Sequence, residues 1–356
     1  MLLDPASFDL VDRVETVLEA TELGECAGQV SCELFQSEIE VQTPVCADVP
    51  EAARELTRLR THVARHAEAA GVRFASAGTH PFALFERQQV TQRPRYVELL
   101  EQIQYPARRE LIFGLHVHIG MPTPEAAMRG FDRMRPHVAE LTALSASSPF
   151  WRGRNSGLAS TRHAVFATFP RSGVPPRFDD YRQFELVVSG FESAGYAPDY
   201  THLWWDLRPH PRLGTLEVRV MDAVPRIDDA LALVAYVQAL AKYLVEEGDG
   251  AVPHDALIHE SKWQAVRRGL DARVFTPHGF APVRDAVERT LERVVPHAEE
   301  LGGAAHLLGI ERILADRNSA ERQVAAFDAA GDIAAVAAGL VAETAMAARD
   351  VALARS

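Results

Sequence analysis

Residues 216–221 read as an apolar β-strand carrying charged rungs, and that alternation constrains the chain more than any other stretch. Successive side chains on a strand point to opposite faces. Leu216, Val218 and Val220 therefore share one face, and Glu217 and Arg219 share the other. The strand closes a longer run, Thr201-His-Leu-Trp-Trp-Asp-Leu-Arg-Pro-His-Pro-Arg-Leu-Gly-Thr-Leu-Glu-Val-Arg-Val-Met-Asp222. An acid and a base that project together from such a strand need partners if their face is covered. A cation for Glu217 and an anion for Arg219 satisfy both, which points to a metal-plus-phosphate or metal-plus-carboxylate site.

A chain of 356 residues with 47% hydrophobic content can bury a sizeable core. It has no run of eighteen apolar residues and no basic-then-apolar leader, so the expectation is a cytoplasmic protein without a membrane span. Three cysteines, Cys26, Cys32 and Cys46, match neither a disulfide framework nor paired zinc-ligand spacing, and read as reduced thiols. A net charge of −12 argues against a nucleic-acid surface. Against that acidic background Arg152, Arg154, Arg162 and Arg171 could serve a small anion, although at least half of them read as ordinary surface arginines.

Periodicity predicts helices over 7–21, 50–70 with Asp48 as N-cap, 93–103, 124–146, 180–194 and 226–247. Strands are expected within 29–42, 72–76, 112–120 and 200–220. From about 250 to 356 the pattern is mostly helical: 256–269, 281–296, 308–315, 319–328 and 332–352. No repeat or linker divides the chain, so one domain over 1–356 is expected. Connections too short for crossover helices predict an α+β fold with a largely antiparallel sheet. Exposed edges of such a sheet would suit a homodimer.

Two further clusters carry chemistry. His116 and His118 share a strand face and suit a divalent cation or a phosphate, with a buried, backbone-bonded histidine as the plain alternative for His118. Glu38 and Glu40 share a face, whereas Glu33 is an odd number of residues away, so Glu33 and Glu40 can meet only through a bulge or turn. Oxygen ligands of this kind favour Mg2+ or Mn2+, and Mg2+ is the usual companion of ATP phosphates. Without a GxxxxGK[ST] or GxGxxG loop, a triphosphate would have to be held by metals and arginines.

Five stretches in order resemble the glutamate–cysteine ligase type 2 family, bacterial ATP-dependent carboxylate–amine ligases. They are Glu33-Leu-Phe-Gln-Ser-Glu-Ile-Glu40 with Thr43-Pro-Val-Cys46; Gly78-Thr-His-Pro-Phe82; Gly114-Leu-His-Val-His-Ile-Gly120; Leu144-Ser-Ala-Ser-Ser-Pro-Phe-Trp-Arg-Gly153 running into Ala159-Ser-Thr-Arg162; and the run from Trp204 to Asp222. Ala265-Val-Arg-Arg-Gly-Leu270 is a weaker sixth. The resemblance implies a curved antiparallel sheet with helices on one side, similar to the glutamine synthetase and guanidino kinase catalytic domain. It also implies amide formation through an acyl phosphate, with ATP, Mg2+ or Mn2+, a glutamate-like carboxylate and a cysteine-like amine, and with no nucleic-acid or membrane partner.

Residue by residue, the resemblance makes Glu33, Glu40 and Glu217 metal carboxylates with His116 beside them. Arg219 becomes a contact for a substrate carboxylate or phosphate. Arg162 and Arg208 are nucleotide or substrate candidates, each with a sheet ion pair as the competing explanation, and Ser147, Ser148 and Trp151 shape the pocket wall. The family's first strand, bearing Gly-x-Glu-x-Glu ahead of the segment matching Leu2-Leu-Asp-Pro5, is absent. The expectation is an upstream start, with a diverged and impaired homologue that binds nucleotide or amino acid without turnover as the alternative. A metal-dependent hydrolase rests only on His116 and His118 and would need further metal-binding histidines.

Overall fold

The computed structural model describes residues 1–22, 30–248 and 251–353. Cys26 lies outside the described residues, while Cys32 and Cys46 are free thiols. The largest sheet joins β1 (Gly114–Gly120), β2 (Leu207–His210) and β3 (Thr215–Asp222), antiparallel throughout, in the order β2-β3-β1. Leu216, Val218 and Met221 on β3 have no exposed surface. They belong to the main core with helices Pro124–Met134, Val138–Ser145 and Ile227–Glu246. Each such leucine or valine contributes roughly 1.5–3 kcal/mol by leaving water. Helix Ile227–Glu246 is buried on most of its faces, which its nearly continuous apolar sequence requires. Helices thus cover one face of the sheet and leave the charged face for the site.

Most expected helices form near their expected limits. Asp48 caps Val49–Ala69 by accepting from the Glu51 N–H at 2.7 Å. The helix expected over 124–146 is broken into Pro124–Met134 and Val138–Ser145 by a 3-10 turn at Arg135–His137, because Pro136 has no N–H to continue the ladder. The helix expected from residue 7 starts only at Val14. Asp4 instead draws the Ala6 and Ser7 N–H groups into a turn at 3.0 and 2.8 Å, leaving Phe8 with φ of 58°.

Two differences concern the strands. A hairpin, Arg273–Thr276 with Gly279–Pro282, sits inside the part expected to be helical. The sheet structure among the described residues is divided into one three-stranded and five two-stranded sheets, and one pair, Ser172–Gly173 with Trp204–Trp205, is parallel. Between residues 147 and 176 the repeated glycines and prolines interrupt pairing, since proline cannot donate to a ladder.

Candidate active site

The charged face of the sheet is organised in cross-strand rows. Arg208 on β2 lies opposite Glu217 on β3, which lies opposite His118 on β1. Arg208 grips Glu217 Oε2 through both Nε and Nη2 at 2.8 Å, and Arg219 Nη1 donates to Oε1. His118 Nε2 stands 3.6 Å from the same carboxylate, and its Nδ1 meets the Thr215 hydroxyl at 3.0 Å. Glu217 is 1% exposed. Burial alone would raise its pKa, but Arg219 and Arg208 outweigh that and hold it below the usual carboxylate value.

A bulge in β3 decides what comes next. Val218 pairs with Val117 and Met221 with Leu115, so β3 spends one residue more than β1 over the same interval. On the opposite edge of β3 the Arg219 N–H continues the β2 register by one step and donates to the Asp206 carbonyl at 2.7 Å. The carbonyls of Arg219 and Val220 accept from Arg162 Nη2 and Nη1 at 3.2 and 3.3 Å. The extra residue also reverses the alternation, so Asp222, paired with Gly114, falls on the same face as His116 and His118. There Asp222 accepts from the Ser147 N–H at 2.9 Å and from the Ser148 and Ser160 hydroxyls at 2.7 and 2.8 Å. Burial still pushes its pKa up, opposed by Arg162 and these donors.

Two glycines are explained by this packing. A Cβ on Gly78 would lie 2.5 Å from Asp222 Oδ2, and one on Gly114 would lie 2.5 Å from Arg162 Nη2. Close approach therefore requires them, where the sequence alone suggested at most a turn at Gly78. Ser147 and Ser148 do more than line a wall: they hold Asp222, and the Ser148 hydroxyl accepts from the Arg162 N–H at 3.1 Å.

His116 stands 3.5 Å from Arg219 Nη1. The residue is exposed on the sheet face, with neighbouring side chains displacing part of its water. That desolvation, with Arg219, Arg162 and Arg208 nearby, pushes its pKa well below the ordinary value and keeps it neutral near pH 7. Arg208 is spent on Glu217 and on the Thr201 and Leu203 carbonyls, so the ion pair weighed against a ligand role is what the fold contains. Arg162 is 4% exposed and serves carbonyls. Arg219 keeps a buried Nε with no partner.

The carboxylate half sits on the hairpin Val30–Cys32/Ile39–Val41, where Ser31 pairs with Glu40. Glu33 lies just past the first strand's end, in the connecting turn, so the odd spacing from Glu40 is no obstacle. Burial first, then the charge of Glu40, raises Glu33 to about 7, although it accepts from the Leu34 N–H at 3.2 Å and the Tyr96 hydroxyl at 3.4 Å. Glu40 accepts from Ser31 and Gln42 at 3.3 and 2.7 Å. Glu38 is 4% exposed, its Oε1 has no partner, and burial with Glu33 and Glu110 pushes its pKa well up.

Glu110 was not singled out from the sequence. Its Oε2 is buried and unpartnered, and burial raises it to about 8 against the pull of Arg162, Arg109 and Arg219. It shares its electrostatic surroundings with Glu38 on one side and with the arginines on the other, linking the two halves. A charged residue directly before the apolar Leu111-Ile-Phe113 was the only signal for it.

Among the described residues no three His, Cys, Asp or Glu side chains stand together as a metal cage. Glu217, expected as a metal carboxylate, has both oxygens engaged by Arg208 and Arg219. The uncompensated carboxylates nevertheless fit a hard divalent cation in donor chemistry, above all the orphaned Oε1 of Glu38.

The fold and site together define an α+β protein with a guanidinium-lined sheet face beside carboxylates that lack counter-charge. The chain belongs to the glutamate–cysteine ligase family 2, whose family model matches residues 2–339. It is 40% identical over 344 residues to a Rubrobacter xylanophilus protein named "Putative glutamate--cysteine ligase 2-1", covering 96% of this chain and 91% of that one. A Gloeobacter violaceus protein named "Putative glutamate--cysteine ligase 2" is 38% identical over 346 residues, covering 95% and 93%. The fold is also that of a Francisella tularensis glutamate–cysteine ligase solved in complex with AMP, with a TM-score of 0.68 at 11% identity over 98% of this chain and 91% of that one. A bifunctional glutathione synthetase from Pasteurella multocida matches with a TM-score of 0.65 at 13% identity, over 90% of this chain and 48% of that one.

Proposed function

We propose that this protein is an ATP-dependent carboxylate–amine ligase that joins glutamate to cysteine through an acyl phosphate. The observation that carries the reading is the chain of buried groups in which Glu110 meets Arg162 and Arg219 on one side and Glu38, next to Glu33, on the other. Phosphoryl transfer to a carboxylate needs fixed positive charge where negative charge builds up, and an anionic wall to hold the cations that accompany ATP. Arg219, with a free Nε, orients the carboxylate or the transferring phosphoryl group. Arg162 stands behind it as a fixed cation tied to the bulge carbonyls. Neutral His116 offers a lone pair or an N–H without adding charge. Magnesium, when bound, neutralises phosphate charge. AMP in the Francisella relative and the relatives' names support nucleotide use and the substrate pair.

The proposal extends to a cytoplasmic enzyme with one domain over 1–356. Its small sheets are read as pieces of one curved surface of the glutamine synthetase and guanidino kinase type, with free edges for a homodimer. The test is release of ADP and phosphate that requires magnesium, glutamate and cysteine together. No release across a broad panel of amines sinks the assignment. Binding without turnover is the second reading, favoured by Glu217 being held by two arginines. Calorimetry that finds tight Mg-ATP binding with no turnover selects it.

A further inference from the structure

Helix Asp255–Arg268 supplies no side chain to the site described above, yet it reaches the supports of both inner arginines. From its middle, Lys262 Nζ donates to both oxygens of Asp206 at 2.8 and 2.6 Å. Asp206 is 2% exposed, so its carboxylate depends on that cation. The Asp206 backbone is tethered too: its N–H donates to the Gly173 carbonyl at 2.8 Å, and its carbonyl accepts the Arg219 N–H at 2.7 Å. The last bond continues the β2–β3 pairing one step past Leu207 and Val218, at the residue where β3 bulges away from β1. Three tethers therefore meet at Asp206, and one of them ends on Arg219.

The far end of the same helix organises the approach to Arg162. The Val266 carbonyl accepts from the Ala159 and Ser160 N–H groups at 2.9 and 3.1 Å, and Arg267 donates to the Gly157 carbonyl. Gly269, with φ of 56°, lets these segments close up, since a Cβ there would sit 3.1 Å from that of Ala159. The stretch 265–270, the weakest of the sequence motifs, thus has a scaffold role.

We propose that Lys262 is a positioning residue for Arg219. Through Asp206 it holds the β3 backbone at Arg219 and with it the direction of the Arg219 guanidinium. Its ammonium contacts both oxygens of Asp206 and its side chain is 13% exposed, so it acts on the site through that pair. The ligand-binding arm of the test rests on the ligase reading, and the exchange arm does not.

Calorimetric titration with Mg-ATP compares wild type with K262M, K262R, R219K and the double variant R219K/K262M. K262M weakens binding by about tenfold or more, the size of coupling between residues in one network. K262R restores it to within about threefold, because it keeps the charge. Since Lys262 acts through Arg219, K262M adds no further loss to R219K; fully additive losses overturn the proposal. Hydrogen exchange needs no ligand: K262M speeds exchange over 215–222 about tenfold relative to helix Ile227–Glu246, and unchanged exchange overturns it. If K262M does not fold, D206N is measured in its place, with the same direction expected and the same outcomes decisive. A wild type that ignores Mg-ATP counts against the ligase reading, while exchange still decides the role of Lys262.

Discussion

Replacing Glu217 by glutamine removes one charge from a carboxylate that is 1% exposed and gripped by two guanidiniums. The shape survives, but Arg208, 6% exposed, then faces Arg219 and His118 with no buried anion between them. Leaving buried charge uncompensated costs about 3–5 kcal/mol, far above the pair's own net worth. Against a total stability of about 5–15 kcal/mol that is a large fraction. Urea unfolding followed by circular dichroism should show a lower midpoint at an unchanged slope. Adding R208M to E217Q removes one orphaned cation and should recover part of the loss. The pH dependence carries the same sign. Glu217 titrates below its ordinary value in the fold, so its stabilisation is full above the unfolded pKa of about 4.3. It drains as pH falls through the folded pKa, and E217Q lacks that acid limb. A loss under about 1 kcal/mol, typical of exposed pairs, would refute the buried-network account.

Gly114→Ala pushes a methyl toward Arg162 Nη2, so it should weaken Mg-ATP binding while moving the unfolding midpoint little; equal binding by calorimetry counts against Arg162 as a site cation. Gly78→Ala collides with the Asp222 carboxylate itself and should lower stability by about 1–3 kcal/mol, measured by thermal unfolding. Glu110, raised to about 8, holds a proton in the fold that the unfolded chain releases near pH 4. Wild-type stability therefore falls as pH rises between those values, and E110Q should not show that fall; parallel midpoint-versus-pH curves would exclude it.

Much of the framework was legible because it obeys local periodicity. Period-two alternation marked β3, and the i, i+2 histidines marked β1, since side-chain direction along a strand is a local property. The Asp48 cap and the apolar Ile227–Glu246 helix were equally plain. The break at Pro136 was available in the sequence and was overrun by a long helical pattern. The hairpin Arg273–Pro282 escaped because four-residue strands carry little periodic signal and draw their order from the helices around them.

The rung of Glu217 and Arg219, the carboxylates Glu33 and Glu40, and His116 were set by residue type and spacing within single segments. Tertiary structure decided what each one touches. A one-residue bulge swings Asp222 onto the site face and opens two carbonyls to Arg162. The packing of distant segments brings Glu110 into the field of Arg162 and Arg219, and Lys262 onto Asp206. Bulges and ion pairs between distant segments depend on which backbone groups lose their partners when elements pack, and no local pattern in the chain records that.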